Sequence, residues 1–107
     1  MAFLRVLQTH MPASAQVPSD LAEAIRAMEP NVPGLQFRAV GRHPATGKGW
    51  TITVWDTRAH AVAGPGISED QRAQLAAIGY DQDSMEVVEI QHLFVKSSVA
   101  EAEAAPA

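Results

Sequence analysis

Apolar and polar positions follow two different periods along this chain. Leu35, Phe37 and Ala39 alternate with Gln36, Arg38 and Val40, and Trp50, Ile52 and Val54 alternate with Thr51, Thr53 and Trp55. A period of two, rich in β-branched and aromatic residues, predicts strands over 35–40 and 50–56. The connector between them carries Gly41, Pro44, Gly47 and Gly49 and can continue neither strand, so the pair reads as a hairpin. Trp55 among threonines is not a typical solvent face, so the second strand reads as central and covered on both sides. A first strand is predicted over 3–11, apolar on both faces near its start through Phe3, Leu4, Val6 and Leu7, again as for a central strand. A last strand is predicted over 85–95, where Val88, Ile90 and Phe94 share a face with Glu86 and His92.

A helical period takes over between the strands. Leu21, Ile25 and Met28 recur on one face of a helix predicted over 19–29, with Asp20 and Glu23 spaced as a capping box and Pro30 as the stop. After the hairpin, Asp56-Thr57 occupies the place of an N-cap for a short run over 58–63, which Gly64-Pro65-Gly66 breaks. Ser68 and Gln71 form a second capping box opening a helix over 68–78, and Gly79 suits its C′ position. Residues 80–84 read as a polar loop. The order β-α-β-β-α-β is that of an α+β, ferredoxin-like fold, a four-stranded antiparallel sheet with helices on one face. The other sheet face would be bare and apolar, and pairing two such faces in a symmetric homodimer removes that liability.

The 107 residues suffice for one domain, taken as 1–95, followed by a flexible or weakly helical tail over 96–107. A net charge of −4 with no basic stripe argues against nucleic acid as a partner. The absence of cysteine excludes a disulfide scaffold, a thiol nucleophile and cysteine-ligated zinc, and the scattered histidines have no metal-ligand spacing. No apolar run reaches the roughly 20 residues of a membrane span, and the N-terminus lacks the regions of a signal peptide. The expectation is a cytoplasmic protein, and the Ala-rich composition points to a bacterial one. Gly47-Lys48 is not a P-loop, because Arg42 stands where the first glycine belongs and a strand follows.

Pro33-Gly34-Leu35, the hairpin, and Val54-Trp55-Asp56-Thr57 followed by Ala59 and Ala61 together resemble the antibiotic biosynthesis monooxygenases, a group within the dimeric α/β barrel superfamily. The resemblance covers residues 3–95 in element order, with residue-level matches at the P-G and W-D-T segments. It implies a homodimer and, by analogy with members that oxidise aromatic polyketides to quinones, a reaction with O2 that needs no cofactor. The chain departs from those members at Thr51, where they carry asparagine, and at Ala61, where they carry tyrosine. It departs from the haem-degrading members at Gly64, near where they carry a second tryptophan, and Thr9 and His10 only lie near their first-strand asparagine.

Five residues are candidates for a site. Trp55 reads either as a core or interface aromatic or as a ligand contact. His60, five residues later, is either an exposed helix residue or a general base acting on a phenolic substrate. His10, at the end of the first strand, is expected near Glu86 and Val88 rather than His92, with a His10–Glu86 pair at a cavity mouth as its functional reading. Arg38 shares a face with Thr51, Thr53 and Trp55 if the hairpin is regular, where it would meet an anionic ligand or form a structural ion pair at the dimer interface. Thr51 joins Trp55 and Arg38 as a ligand-binding candidate. Three functions remain open: a cofactor-independent monooxygenase acting on a planar aromatic molecule, a non-catalytic binding or assembly module, and a haem-binding member.

Overall fold

The computed structural model describes residues 1–96. The expected tail over 96–107 therefore lies outside the described residues, apart from Lys96. Strands β1 (Phe3–His10), β2 (Leu35–Arg42), β3 (Lys48–Trp55) and β4 (Asp81–Glu89) form one antiparallel sheet in the order β2-β3-β1-β4. Helices α1 (Ser19–Met28), α2 (Arg58–Ala63) and α3 (Glu69–Ala77) complete the βαββαβ order. β1 and β3 are central, as their two-sided apolar patterns predict. The fold is ferredoxin-like, and the sheet is open rather than closed into a barrel.

Register sorts the residues into two layers. Arg5, Leu7 and Thr9 of β1 stand opposite Thr53, Thr51 and Gly49 of β3, and Arg38 and Val40 of β2 stand opposite Thr53 and Thr51. This is the side the helices cover. Its core is Trp55, Leu21, Ala61, Leu75 and Met11, all buried, with Trp55 wholly enclosed. The opposite parity places Leu4, Val6, Ile52 and Val54 on the other face, with Phe37, Ala39, Trp50 and Val88 beside them. Phe37, Trp50, Ile52 and Val88 are exposed there.

Local signals account for most element ends. Ser68 and Gln71 exchange the reciprocal bonds of a capping box at 3.0 and 3.1 Å. The Thr57 hydroxyl accepts from the His60 backbone N–H at 3.1 Å and caps α2. α3 closes with a Schellman pair, Gly79 N–H to Ala76 and Tyr80 N–H to Leu75, with Gly79 at φ +84°. A left-handed turn of that kind suits a residue without a Cβ.

Two expectations need correction. α1 has no side-chain cap, because its N-cap is Pro18, whose carbonyl takes the Ala22 N–H at 3.0 Å, leaving Ser19 and Asp20 inside the helix. β4 runs over Asp81–Glu89 rather than 85–95. Its reach is set by β1, which pairs from Phe3↔Glu89 to His10↔Asp81. Past Glu89 one further bond, Ile90 N–H to the Ala2 carbonyl, ends the pairing, and Leu93, Phe94 and Val95 stand exposed. Among the described residues no helix is long and apolar enough to cross a membrane.

Candidate ligand-binding site

A cavity of about 530 Å³ lies between the covered face of the sheet and helices α1 and α3. Thr9 with the β3 residues Gly49 and Thr51 supplies its sheet side, and Arg38, Val40 and Arg42 its β2 side. Ala22, Ile25 and Arg26 of α1 and Leu75 of α3 line it from above, and Met11 and Ile67 add apolar wall. Tyr80 enters from the end of α3, where the Schellman turn reverses the chain toward β4. The result is a mostly apolar space with a few polar groups converging on it, the usual form of a small-molecule site.

Tyr80 is the polar group most altered by this setting. Burial pushes its phenol up, while the Thr9 hydroxyl and the charges of Arg38 and Arg5 pull in the opposite direction. The net direction is upward, so Tyr80 is a neutral O–H at neutral pH and can donate to an anionic oxygen. Arg5 lies behind it under the end of α2. Its guanidinium occupies the space that a Cβ on Gly64 would need, and its Nε is buried without a partner. Burial lowers the Arg5 pKa, and Tyr80 opposes that shift.

The five candidates from sequence fall in different places. Arg38 and Thr51 both line the cavity. Arg38 shares its face with Thr51 and Thr53, in the part of the hairpin that pairs regularly beyond a register shift between Leu35 and Phe37, and it meets Glu29 of its own chain at 3.5 Å. Trp55 is fully buried and does not line the cavity. Its indole N–H donates to Thr53 Oγ1 at 2.7 Å, and Thr53 in turn reaches the Arg5 carbonyl at 3.5 Å. His60 lies outside the lining, on α2, with Nδ1 donating to Asp56 Oδ1 at 2.7 Å. That bond is the main reason the Asp56 carboxyl titrates below its ordinary value.

His10 also lies outside the lining, and its expected Glu86 neighbour is corrected. Glu86 stands opposite Val6, while a bulge between Gln8 and Thr9 leaves Asp83 unpaired in the ladder and brings its Oδ1 to 2.7 Å from His10 Nδ1. Sequence reasoning missed Tyr80, Thr9 and Arg26. The available signal for Tyr80 was Gly79 at C′, because the next residue packs back against the helix end.

No family model matches the chain, and no curated protein matches it. Solved structures do. SnoaB of Streptomyces nogalater, described as a cofactor-independent oxygenase, superposes with a TM-score of 0.64 at 14% identity, covering 89% of this chain and 98% of that one. An antibiotic biosynthesis monooxygenase of Chloroflexus aurantiacus J-10-fl, so assigned by name, gives a TM-score of 0.54 at 14% identity over 89% of this chain and 98% of its own. Rv0793 of Mycobacterium tuberculosis gives 0.54 at 17% identity over 85% and 97%. The fold is that of the antibiotic biosynthesis monooxygenases. At these identities the likeness carries architecture and not chemistry, so the cavity must carry the chemical reading.

Proposed function

We propose that this protein is a monooxygenase of the antibiotic biosynthesis type, acting on a planar aromatic small molecule and using O2 directly. The observation that carries the reading is the half-open, mostly apolar cavity on which Tyr80, Thr9, Thr51 and Arg38 converge. A hydroxyarene fits that lining, its rings against Leu75, Met11 and Ile25 and its oxygen toward Tyr80. The neutral Tyr80 O–H and the Arg38 guanidinium both stabilise the phenolate, so the bound substrate ionises more readily and its proton leaves to solvent. The electron-rich ring then reduces O2. One oxygen atom replaces the ring C–H as a carbonyl and the other leaves as water, giving quinone plus H2O with no cofactor in the balance.

Trp55 then serves as the rigid support behind Thr53 and β3. His60 and His10, each oriented by a carboxylate, remain candidates for relaying the released proton outward. The working unit is a homodimer formed through the open sheet face, whose exposed Phe37, Trp50, Ile52 and Val88 call for cover. The unpaired Leu93-Phe94-Val95 segment is apolar enough to add to the same interface. The setting is the cytoplasm.

The test is O2 consumption with anthrone and 1-naphthol in chelator-treated buffer, with quinone formation followed by absorbance. The expected result is one O2 per quinone and a loss of roughly 10²-fold in Tyr80→Phe, the scale for removing one donor to a developing oxyanion. A protein that binds these compounds without consuming O2 is the binding module instead. Thr51 and Ala61, standing where the oxidising members carry asparagine and tyrosine, favour that second reading.

A further inference from the structure

The cavity is cationic in an acidic protein. Arg26, Arg38 and Arg42 all line it, and no carboxylate among the described residues does, although the whole chain has a net charge of −4. Glu29 meets Arg38 at 3.5 Å but is not part of the lining.

The three arginines line the cavity from β2 and from α1. Arg38 and Arg42 are four residues apart on β2, which places them on one face roughly 13 Å apart along the strand. Arg26 reaches the cavity from the last turn of α1. Val40, between the two β2 arginines, lines the cavity and is 60% exposed, which gives that rim an apolar surface between two cations. Arg42 donates to the Ala15 carbonyl at 2.9 Å, which fixes its head at the rim and leaves its other N–H groups free.

A second observation is independent of the cavity. β2 contains two arginines and no acid, whereas β4 contains Asp81, Asp83, Glu86 and Glu89 and no cation. Sheet order puts these strands at opposite edges. The molecule is thus polarised across its sheet, and the β2 edge, where the arginines rim the cavity, is the end that attracts anions.

From this arrangement we infer that the ligand is an aromatic molecule bearing an oxyanion substituent, carboxylate or phosphate ester, and that Arg26, Arg38 and Arg42 hold that substituent at the β2–α1 rim. The inference rests on the reading of the cavity as an aromatic site. It adds an orientation: the anionic end sits between β2 and α1 and the ring points inward past Val40 toward Leu75 and Tyr80. Arginine suits this task because its planar fork matches such groups bidentately.

Calorimetric titration of the full chain with 6-hydroxy-2-naphthoate, its neutral counterpart 6-hydroxy-2-naphthamide, and 6-hydroxy-2-naphthyl phosphate, whose hydroxyl and anion lie at opposite ends of the ring system, tests this directly. The naphthoate or the phosphate ester should bind at least about tenfold tighter than the amide. Arg26→Gln combined with Arg42→Gln should bring the three affinities together by lowering those of the two anions. Whichever oxyanion binds tighter identifies the source. Equal binding of amide and anions overturns the inference and leaves the aromatic site standing. Binding of none of the probes overturns both. If the double variant fails to fold, Arg26→Gln alone, an exposed side chain, should still reduce the anion preference, and an unchanged preference would count against the assignment.

Discussion

Trp50 and Trp55 stand on the same strand and meet opposite surroundings. Trp50 is 39% exposed on the open face, and Trp55 is fully enclosed under the helices. The two faces also divide their polar residues unequally. The covered face holds Arg5, Thr9, Arg38, Thr51 and Thr53 beside Phe3, Leu7 and Trp55, whereas the uncovered face presents Leu4, Val6, Phe37, Ile52 and Val88 beside Gln8 and Glu86. A self-sufficient monomer would not leave so many apolar residues on its uncovered face. Polar groups on the covered face border the cavity, and the exposed apolar residues of the open face are those that the proposed homodimer would cover.

The comparison breaks hardest at Trp55. Trp55→Ala should cost about 3–5 kcal/mol in urea unfolding, the range for deleting a large enclosed aromatic. It removes support from Thr53 as well, since the indole donates to that hydroxyl. Trp50→Ala should leave the unfolding free energy of an isolated subunit nearly unchanged and weaken association instead. Equal losses in the two variants would erase the distinction between the faces.

The open face gives the next largest effect. Ile52→Lys places a charge in the middle of the proposed interface, opposite Val6 and Ala39 in the sheet. An unpaired charge buried at an interface costs about 2–5 kcal/mol, so native mass spectrometry should change from dimer to monomer at micromolar concentration. Circular dichroism of the variant should remain that of the folded chain. A wild-type protein that is already monomeric would remove the reason offered for the exposed apolar residues. A smaller effect is expected at the helix that carries Tyr80 into the cavity. Ser68→Ala removes one half of the α3 capping box and should lower stability by about 1 kcal/mol.

The sequence was legible where pattern and packing agree. The alternation in β3 and the start of β1 marked both as central strands, and Ser68, Gln71 and Gly79 marked both ends of α3. The site was half legible: hairpin register alone put Arg38 with Thr51. The failures share a cause, which is that tertiary pairing supplied what composition withheld. Asp81-Gln82-Asp83-Ser84 has no apolar alternation and resembles a loop, yet β1 recruits it as strand. Tyr80 was assigned to that same loop, so the ring that enters the cavity went unnoticed. Trp55 is conspicuous by size, but its place on the helix-covered face of β3 is what buried it, since Trp50 is equally large and stands exposed on the other face.

Tyr80 offers the finest test of the covered face, because it is the chain's single tyrosine. Phenolate absorbance at 295 nm therefore reports this group alone. Burial is the dominant influence and raises its pKa, so the midpoint should lie above the ordinary value of about 10 and fall back to it in denaturant. The sign for stability follows. A native pKa above the unfolded one means the neutral phenol is favoured in the fold. That contribution is complete below the unfolded value and disappears as pH rises through the native value, so alkaline unfolding should steepen in that window. Arg38→Gln removes one of the charges that pull the pKa down, and it should move the midpoint further up. A native midpoint at or below 10 would mean that Arg5, Arg38 and Thr9 outweigh burial. Only a midpoint brought down near neutral pH would make Tyr80 a base rather than a donor, so that the polar side of the cavity would abstract the substrate's proton instead of stabilising its anion.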